Sequence, residues 1–248
     1  MRFVVYLGRN EMGKTVMRGL NLTVLGLICL GIGLAQTVAP VTVTALSGAG
    51  TLAITNAGGK VVTALSLAAT FSAASLPGAH GVTVTQTKIY DSATEPLAAK
   101  PIQPHQQISL AYPAAAGPAT ATVSLQAVLF ADGSSWGDAA TAARIVRRRG
   151  YMQQSLQESL AELNAAVVGG TAKASLIGQF QSALASEQAA AADSDQQVCI
   201  QSVRGVVLKN LQAVTPGRTP EPLPTLLARQ IGSLQSRLSA VQNGGGGQ

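Results

Sequence analysis

The chain has 248 residues, of which 47% are hydrophobic and 4% are aromatic, and its formal net charge is +6. Residues 1–35 hold four of the basic residues and one acid, so the rest of the chain lacks the charge and the aromatic side chains of a nucleic-acid surface. Beyond residue 35 only Cys199 remains of the two cysteines, which excludes an internal disulfide, and the length suffices for two small hydrophobic cores.

The N-terminal 35 residues predict an export signal. An apolar run begins at Leu20 and ends at Leu34, and it follows four basic residues, Arg2, Arg9, Lys14 and Arg18. Gly33 and Ala35 occupy the two small-residue positions of a signal-peptidase site, so we expect cleavage after Ala35 and a periplasmic or secreted protein. The alternative is a single-pass inner-membrane anchor from Leu20 to Ala35, although that helix would span roughly 24 Å of a ~30 Å hydrocarbon core.

The same segment matches the phosphate-binding pattern G-x-x-x-x-G-K-[ST] from Gly8 to Thr15. A working phosphate loop needs a following helix that packs on a parallel sheet. The residues that follow are instead uniformly apolar, and behind them come alternating Thr-rich segments rather than β-α-β units. We therefore expect no nucleotide cofactor. The true start stays open between Met1, Met12 and Met17.

Residues 40–137 have the pattern of short β-strands. Val41–Leu46 alternates apolar and polar residues, as a half-buried strand does. Thr51–Asn56 and residues 61–67 flank a Gly-Gly turn and predict a β-hairpin. Further strands are predicted at residues 82–90, 106–112 and 119–130. Short strands separated by turns, without intervening helical patterns, predict an antiparallel sandwich.

Several segments of this β-rich half resemble a known family. They are Ile54-Thr-Asn56, the turn Gly58-Gly-Lys60, Lys88-Ile-Tyr-Asp91 and the strand from Pro104 to Leu110. In these segments the chain resembles the bacterial exported immunoglobulin-like domains named for a Phe-x-Leu-Tyr-Asp signature. Tyr90 and Asp91 match that signature, whereas Thr87 and Ile89 stand at its Phe and Leu positions. The resemblance implies an immunoglobulin-like sandwich at the cell surface or in the periplasm, and it implies no catalytic residues.

A serine-hydrolase pattern lies at the end of the β-rich half. Gly133-Ser-Ser-Trp-Gly137 matches G-x-S-x-G, but such a serine needs a parallel sheet and a histidine later in the chain. His80 and His105 both precede it, and neither has neighbours at metal-ligand spacing. We therefore predict a turn at Asp132-Gly133, a Trp136 side chain that anchors the sheets to the next helix, no catalytic residues and no metal site.

Residues 138–214 show helical periodicity. Asp138 is predicted to cap a first helix that ends or kinks at Gly150 and stops at Gly169-Gly170. Thr171 is predicted to cap a second helix, and a third is predicted to start at Ser194 or Asp195. The predicted inward residues are Met152, Leu156, Leu160, Leu163 and Val167, then Leu176, Phe180 and Leu184, and then Ile200, Val203, Val207, Leu211 and Val214. Cys199 is predicted to be a buried thiol.

A Pro-rich linker at residues 215–224 leads to an amphipathic helix at residues 225–242 and a disordered tail at residues 243–248. The helix carries apolar residues at heptad spacing, at Leu227, Ile231, Leu234, Leu238 and Val241. A helix this short is marginal alone and must bury that stripe. Two arrangements are open: the helix docks on its own chain, or it binds a second copy or a partner protein.

One basic cluster lies in the first predicted helix, at Arg144, Arg147, Arg148 and Arg149. It is a candidate anion-binding site for lipid headgroups or an acidic polymer, and the alternative is a solvated helix face. Glu158 and Glu162 lie one turn apart on the same helix. We predict that they are solvating charges rather than an acid–base pair.

These features predict an α+β protein with an N-terminal signal or anchor helix, an antiparallel immunoglobulin-like sandwich and three to four C-terminal helices. The predicted function is non-enzymatic: an exported structural or protein-interaction module of the cell envelope, with a protein partner or with itself. A module that binds an anionic envelope polymer or a lipid surface is the alternative, and a hydrolase is the least favoured. We expect no nucleic-acid partner and no cofactor.

Overall fold

Seven strands and then a set of helices follow one another along the described chain. The structure, a computed structural model, describes residues 38–46, 51–72, 83–95, 99–111, 120–213 and 221–244. The predicted signal or anchor segment, most of the Pro-rich linker and residues 245–248 lie outside the described residues. Within the described ranges the chain is an α+β protein with two antiparallel sheets and four continuous helical segments, which confirms the predicted class.

The strands form two sheets in which all neighbours are antiparallel. The first sheet has the order β1-β2-β5 and the second has the order β4-β3-β6-β7. The strands are β1 (Val41–Leu46), β2 (Thr51–Asn56), β3 (Val62–Ser72), β4 (Thr83–Asp91), β5 (Gln107–Ala111), β6 (Thr120–Phe130) and β7 (Ser135–Gly137). The first six were predicted, although β3 extends further than expected, and β7 was not predicted.

The predicted hairpin between β2 and β3 is wrong. The strand β2 pairs with β1 and β5, whereas β3 pairs with β4 and β6, so the chain passes between sheets at Gly58-Gly59. The Asn56 side chain organises this crossing, because its Nδ2 donates to the carbonyl oxygens of Lys60 at 2.8 Å and Ile102 at 3.0 Å. Its Oδ1 accepts from Gly58 N at 3.1 Å. A buried amide with these bonds stabilises the crossing, and turn residues alone do not distinguish it from a hairpin.

The two sheets share a hydrophobic core. Buried side chains from both sheets form one cluster, which includes Val41, Leu52, Ile54, Leu65, Leu67 and Val128. Successive residues of a strand point to opposite faces. Leu65 therefore faces the other sheet, while the neighbouring Ala64 belongs to a separate cluster with the helix that follows β7. Because β3 is covered on both faces, it has an unbroken buried run rather than an alternating one.

The first helix, α1 (Ala139–Gly169), has the ends that the sequence predicted. The Asp138 carboxylate accepts from Thr141 N at 2.7 Å and caps the helix. At the other end Gly170 has a φ of 60°, in the left-handed region that favours glycine. The helix runs through Gly150 without ending there, because a single glycine costs only about 1 kcal/mol and packing of the helix on both cores outweighs it.

The remaining helical elements are α2 (Lys173–Ala190), α3 (Ser194–Ile200), a π-helical turn (Gln201–Gly205), α4 (Val206–Gln212) and α5 (Leu223–Gly244). The segment from α3 through the π-helical turn to α4 is continuous. Thr171 does not cap α2, whose N-cap is Ala172 without a side-chain bond. The helix α5 is longer than predicted at both ends, since it includes Leu223 and also Asn243 and Gly244 of the predicted tail.

The helices form a second core, and α1 contributes to both. Fully buried members of the helical cluster include Leu156, Leu163, Leu176, Phe180, Val203 and Leu211. Near its start, α1 packs Ala142 and Ile145 on the sheet residues Ala127 and Leu129. We expected Trp136 to make this connection, but its ring packs on the core between the sheets. The reason is register: Trp136 pairs with Val128 and therefore shares its face of the sheet.

The described residues, from Val38 onward, belong to one compact unit, and both cores lie in it. None of the described helices combines the length and the apolar character that crossing a bilayer requires.

Candidate functional site

The predicted interaction helix, α5, lies against the other helices of its own chain. Three of its heptad residues, Leu227, Leu234 and Val241, are 2 to 3% exposed and belong to the helical core. Ile231 and Leu238 are half-buried and pack on the same core. The apolar stripe is therefore covered in this structure, but its first half is covered incompletely.

An apolar groove of about 520 Å³ lies where the end of α1 meets the first half of α5. From the end of α1 it is lined by Ala166, Val167 and Gly170, and from α5 by Leu227, Ala228, Ile231 and Gly232 among others. None of the described residues that line it carries a charge. Val167, which was predicted to face inward, lines this groove and is 52% exposed.

Each of the four arginines in the predicted anion-binding cluster pairs with a different carboxylate of the same chain. Arg144 pairs with Asp195, Arg147 with Asp193, Arg148 with Glu95 and Arg149 with Asp91. The side chains of Arg144 and Arg147 are 41% and 52% exposed, whereas those of Arg148 and Arg149 are 15% and 7% exposed. Arg148 and Arg149 therefore do not belong to a solvated face, and each guanidinium of the cluster already has an anionic partner.

The pairing of Arg144 with Asp195 is the shortest of these contacts. Arg144 Nε and Nη2 donate to the two carboxylate oxygens at 2.5 and 2.9 Å. This bidentate bond is the main reason why the pKa of Asp195 lies below its usual range, and it also raises the pKa of Arg144. The contact joins α1 to the start of α3, so it stabilises the helical part of the fold.

Arg149 is buried in a network that joins four elements. Its Nε and Nη2 donate to the Asp91 carboxylate at 3.0 and 2.8 Å, and Nη2 also donates to Thr63 Oγ1 at 3.1 Å. Its Nη1 donates to the carbonyl oxygen of Gly244. Asp91 belongs to the Tyr-Asp pair on which the family resemblance rests, so both of these residues were singled out from sequence. Their contact was not predicted, because β4 and α1 are distant in sequence.

A second buried arginine, Arg204, was missed by sequence reasoning. It is 2% exposed and binds Glu187 and Glu162 at 2.5 and 2.8 Å, with Glu158 at 3.8 Å. Burial lowers the pKa of Arg204, but the hydrogen bonds that its guanidinium donates to Glu187 and Glu162 outweigh this effect and raise it. The prediction that Glu158 and Glu162 only solvate the helix is therefore wrong. No sequence pattern indicated this site, because its carboxylates come from α1 and α2, which are distant from Arg204 along the chain.

The nucleophile candidates lie in separate places. Ser134 of the G-x-S-x-G pattern lies in the connection between β6 and β7, where Asp132 Oδ1 accepts from Ser134 N at 3.0 Å, and Ser135 is the first residue of β7 and pairs with Leu129 in an antiparallel ladder. Cys199 is buried as predicted, and burial is the main reason why the pKa of its thiol rises to about 11. His105 lies in an exposed turn with a φ of 63°. His80 and the phosphate-binding pattern lie outside the described residues.

No protein-family model matches this chain, and comparison with curated proteins and with solved structures also finds no match. Among the concave surfaces of the described residues, two differ in their chemistry. One is the uncharged α1–α5 groove, and another is an acidic pocket beside Arg204.

Proposed function

We propose that the chain is an exported, non-enzymatic module of the cell envelope that associates with a second copy of itself through the α1–α5 groove. The observation that carries this proposal is the uncharged groove, of about 520 Å³, whose lining includes the half-exposed Val167. An uncharged concave surface lined mainly by apolar side chains can bury those side chains against a partner, and this burial favours association.

A second copy fits the groove because a two-fold contact joins identical patches, and an uncharged patch can oppose itself without charge repulsion. Val167 lines the groove and is 52% exposed, so its side chain is available to a partner copy. A Cβ at Gly170 or Gly232 would meet no atom within 4 Å, so both glycines border open space. In the proposed dimer the groove of each copy packs on that of the other, with both Val167 side chains in the contact.

We further propose that the two-sheet part is an immunoglobulin-like sandwich. Its strand orders, β1-β2-β5 and β4-β3-β6-β7, correspond to strands A-B-E and C′-C-F-G of that fold. This correspondence and the Tyr90-Asp91 match support the resemblance to exported bacterial domains. The proposed export rests on residues 1–35 of the sequence, where a basic segment precedes an apolar run.

The alternative, binding of an anionic polymer or lipid surface, has weaker support. Only Arg144 and Arg147 of the basic cluster are well exposed, and Asp195 and Asp193 already neutralise them. An anion would have to displace these carboxylates. Replacing Arg147 with Gln should therefore leave binding of the full-length chain to vesicles of anionic lipid unchanged.

A matched pair of valine variants tests the proposed dimer. Val167 and Val198 both lie on helices and are 52% and 51% exposed, but only Val167 lines the groove. We expect light scattering to give the mass of a dimer for the full-length chain and for Val198→Lys, and the mass of a monomer for Val167→Lys. Thermal melting should show that both variants are folded. A monomeric parent chain, or equal loss of the dimer in both variants, would refute the proposal.

A further inference from the structure

The strand β6 is paired from end to end on one side and only near its C-terminal end on the other. On the first side its partner is β3. On the second side its partner is β7, which has three residues and pairs with residues 127–129. Asp138 N then donates to Gln126 O at 2.8 Å, and no described strand continues this ladder. Residues 122–125, which we call the open edge, thus have no strand partner on this side in the described part of the chain.

The helix α1 does not follow the open edge, because it packs on the other half of β6. Near its start it contacts Leu129, and its Arg149 binds Asp91. Leu129 and Asp91 lie level with each other, since both pair with Ala64 of β3. These contacts lie near the C-terminal end of β6, whereas the open edge lies in its N-terminal half. The chain therefore turns from β7 into α1 without extending along the open edge.

The side chains of the open edge alternate between an apolar and a polar face. Val123 and Leu125 are half-buried and pack on the core between the sheets, whereas Thr122 and Ser124 are exposed. Val43 of β1 is also half-buried against this core. The strand β1 lies near β6, but among the described strands it pairs only with β2. Backbone hydrogen bonds between described strands therefore do not close the side of the sandwich where β1 meets β6.

The open edge also lacks the charges that commonly protect a sheet edge. Lysine side chains on an edge strand oppose pairing with another chain. The strand β4, at the other edge of the same sheet, has such a residue in Lys88, whose Nζ donates to the Ala111 carbonyl oxygen. Residues 122–125 carry no charge. Of the two edges of this sheet, the open edge is therefore the better suited to accept a further strand.

We propose that the open edge binds an extended segment of a partner protein as an added β-strand. Unpaired N–H and C=O groups of an edge strand bond to such a segment, and alternate side chains of the segment supply the specificity. Its apolar side chains pack beside Val123 and Leu125, and its polar side chains face solvent. A segment of about five residues, roughly 17 Å long, spans the open edge. This interaction is separate from the proposed dimer, which uses α1 and α5.

NMR titration of the ¹⁵N-labelled full-length chain with a short peptide tests the proposal. The probe is acetyl-Lys-Thr-Val-Thr-Val-Thr-Lys-amide, whose valines supply the apolar face and whose lysines limit self-association. We expect a dissociation constant on the order of 0.1 mM, and amide shifts that are largest at residues 122–126 and small in β4. A probe with N-methyl groups on its three central residues should bind at least about tenfold more weakly, because it lacks backbone donors.

A matched pair of threonine variants tests the side-chain contacts. Val123→Thr should weaken binding of the probe several-fold, because it replaces an apolar contact with a hydroxyl. Ile108→Thr is the control, since Ile108 is half-buried on the same core but lies in β5, at the edge of the other sheet away from β1. It should leave the affinity unchanged, and thermal melting should show that both variants are folded.

Four results would overturn the proposed strand addition. They are a parent chain that does not bind the probe, equal binding of the N-methylated probe, shifts that are largest outside residues 122–126, and equal loss of affinity in both variants. The occupant itself is tested without the probe. If amide signals of the open edge shift with the concentration of the chain alone, a second copy occupies this edge and the proposed partner is wrong.

Discussion

Replacing Asp91 with asparagine should leave a buried guanidinium without its countercharge. Asp91 is 0% exposed and Arg149 is 6% exposed, so neither group of this ion pair is solvated. Arg149 Nη2 lies 2.8 Å from Asp91 Oδ1, and Nε lies 3.0 Å from Oδ2. The same guanidinium donates to Thr63 Oγ1 and to the Gly244 carbonyl oxygen. The pair thus connects the end of β4 and the start of β3 with α1 and the end of α5.

The expected cost follows from this burial. Removing one partner of a buried ion pair costs about 3–5 kcal/mol, because the other charge stays buried without compensation. Asparagine keeps one acceptor oxygen for Arg149 and for Ala93 N, which donates to Asp91 Oδ1 at 2.9 Å, so we expect the lower end, about 3 kcal/mol. For a unit of about 200 residues this corresponds to a melting temperature lower by about 10 °C.

Thermal and urea unfolding of the full-length chain, followed by circular dichroism, measures this effect. Asp132→Asn is the control, because Asp132 pairs with Lys60 in an exposed contact and its side chain is 49% exposed. We expect little change in the control, since exposed ion pairs are largely screened by solvent. The double variant Asp91→Leu with Arg149→Met should recover most of the stability lost in Asp91→Asn. If Asp91→Asn melts like the control, the buried pair does not stabilise the fold as argued.

Three further predictions concern single positions. In a Cys29→Ser background Cys199 should resist iodoacetamide at pH 8 in the folded chain and react in urea, because burial raises its pKa to about 11; rapid labelling of the folded chain would contradict this. Gly137→Ala should destabilise the chain far more than Gly133→Ala in urea unfolding, because both glycines have positive φ but a Cβ at Gly137 would meet Gln126 O at 2.3 Å; equal effects would exclude this clash. Intact mass of the exported protein should show cleavage after Ala35, and a mature species that retains residues 20–34 would indicate an anchor instead.

Features that depend on near neighbours were predicted well from the sequence. The cap at Asp138 and the left-handed residue at Gly170 involve bonds within a few residues, so local rules suffice. The alternation of Val41–Leu46 likewise identified a strand before its partner was known. The predicted hairpin of β2 and β3 was wrong because the contacts that decide this connection are not local. The Gly-Gly turn allows a hairpin, but the buried bonds from Asn56 to Ile102 depend on a distant segment.

The candidate sites depend even more on distant segments. The arginine cluster and Asp91 were both visible in the sequence, but Arg149 and Asp91 are separated by 58 residues, and only the packing of α1 on the second sheet brings them together. No pattern in the sequence indicated that three carboxylates lie near Arg204. The acidic pocket combines residues of α1, α2 and α3, so none of its chemistry is recognisable as a motif.

By itself the sequence determined that strands precede helices, that each helix has an apolar face, and that the stripe from Leu227 to Val241 must be buried somewhere. These conclusions follow from periodicity and from the cost of leaving apolar surface in water. Only the tertiary structure decided that α5 covers α1, that Arg149 pairs with Asp91 and that Glu158 lies near Arg204. The physical reason is that the free energy of a buried charge or an apolar face depends on atoms within a few ångströms, whichever part of the chain supplies them.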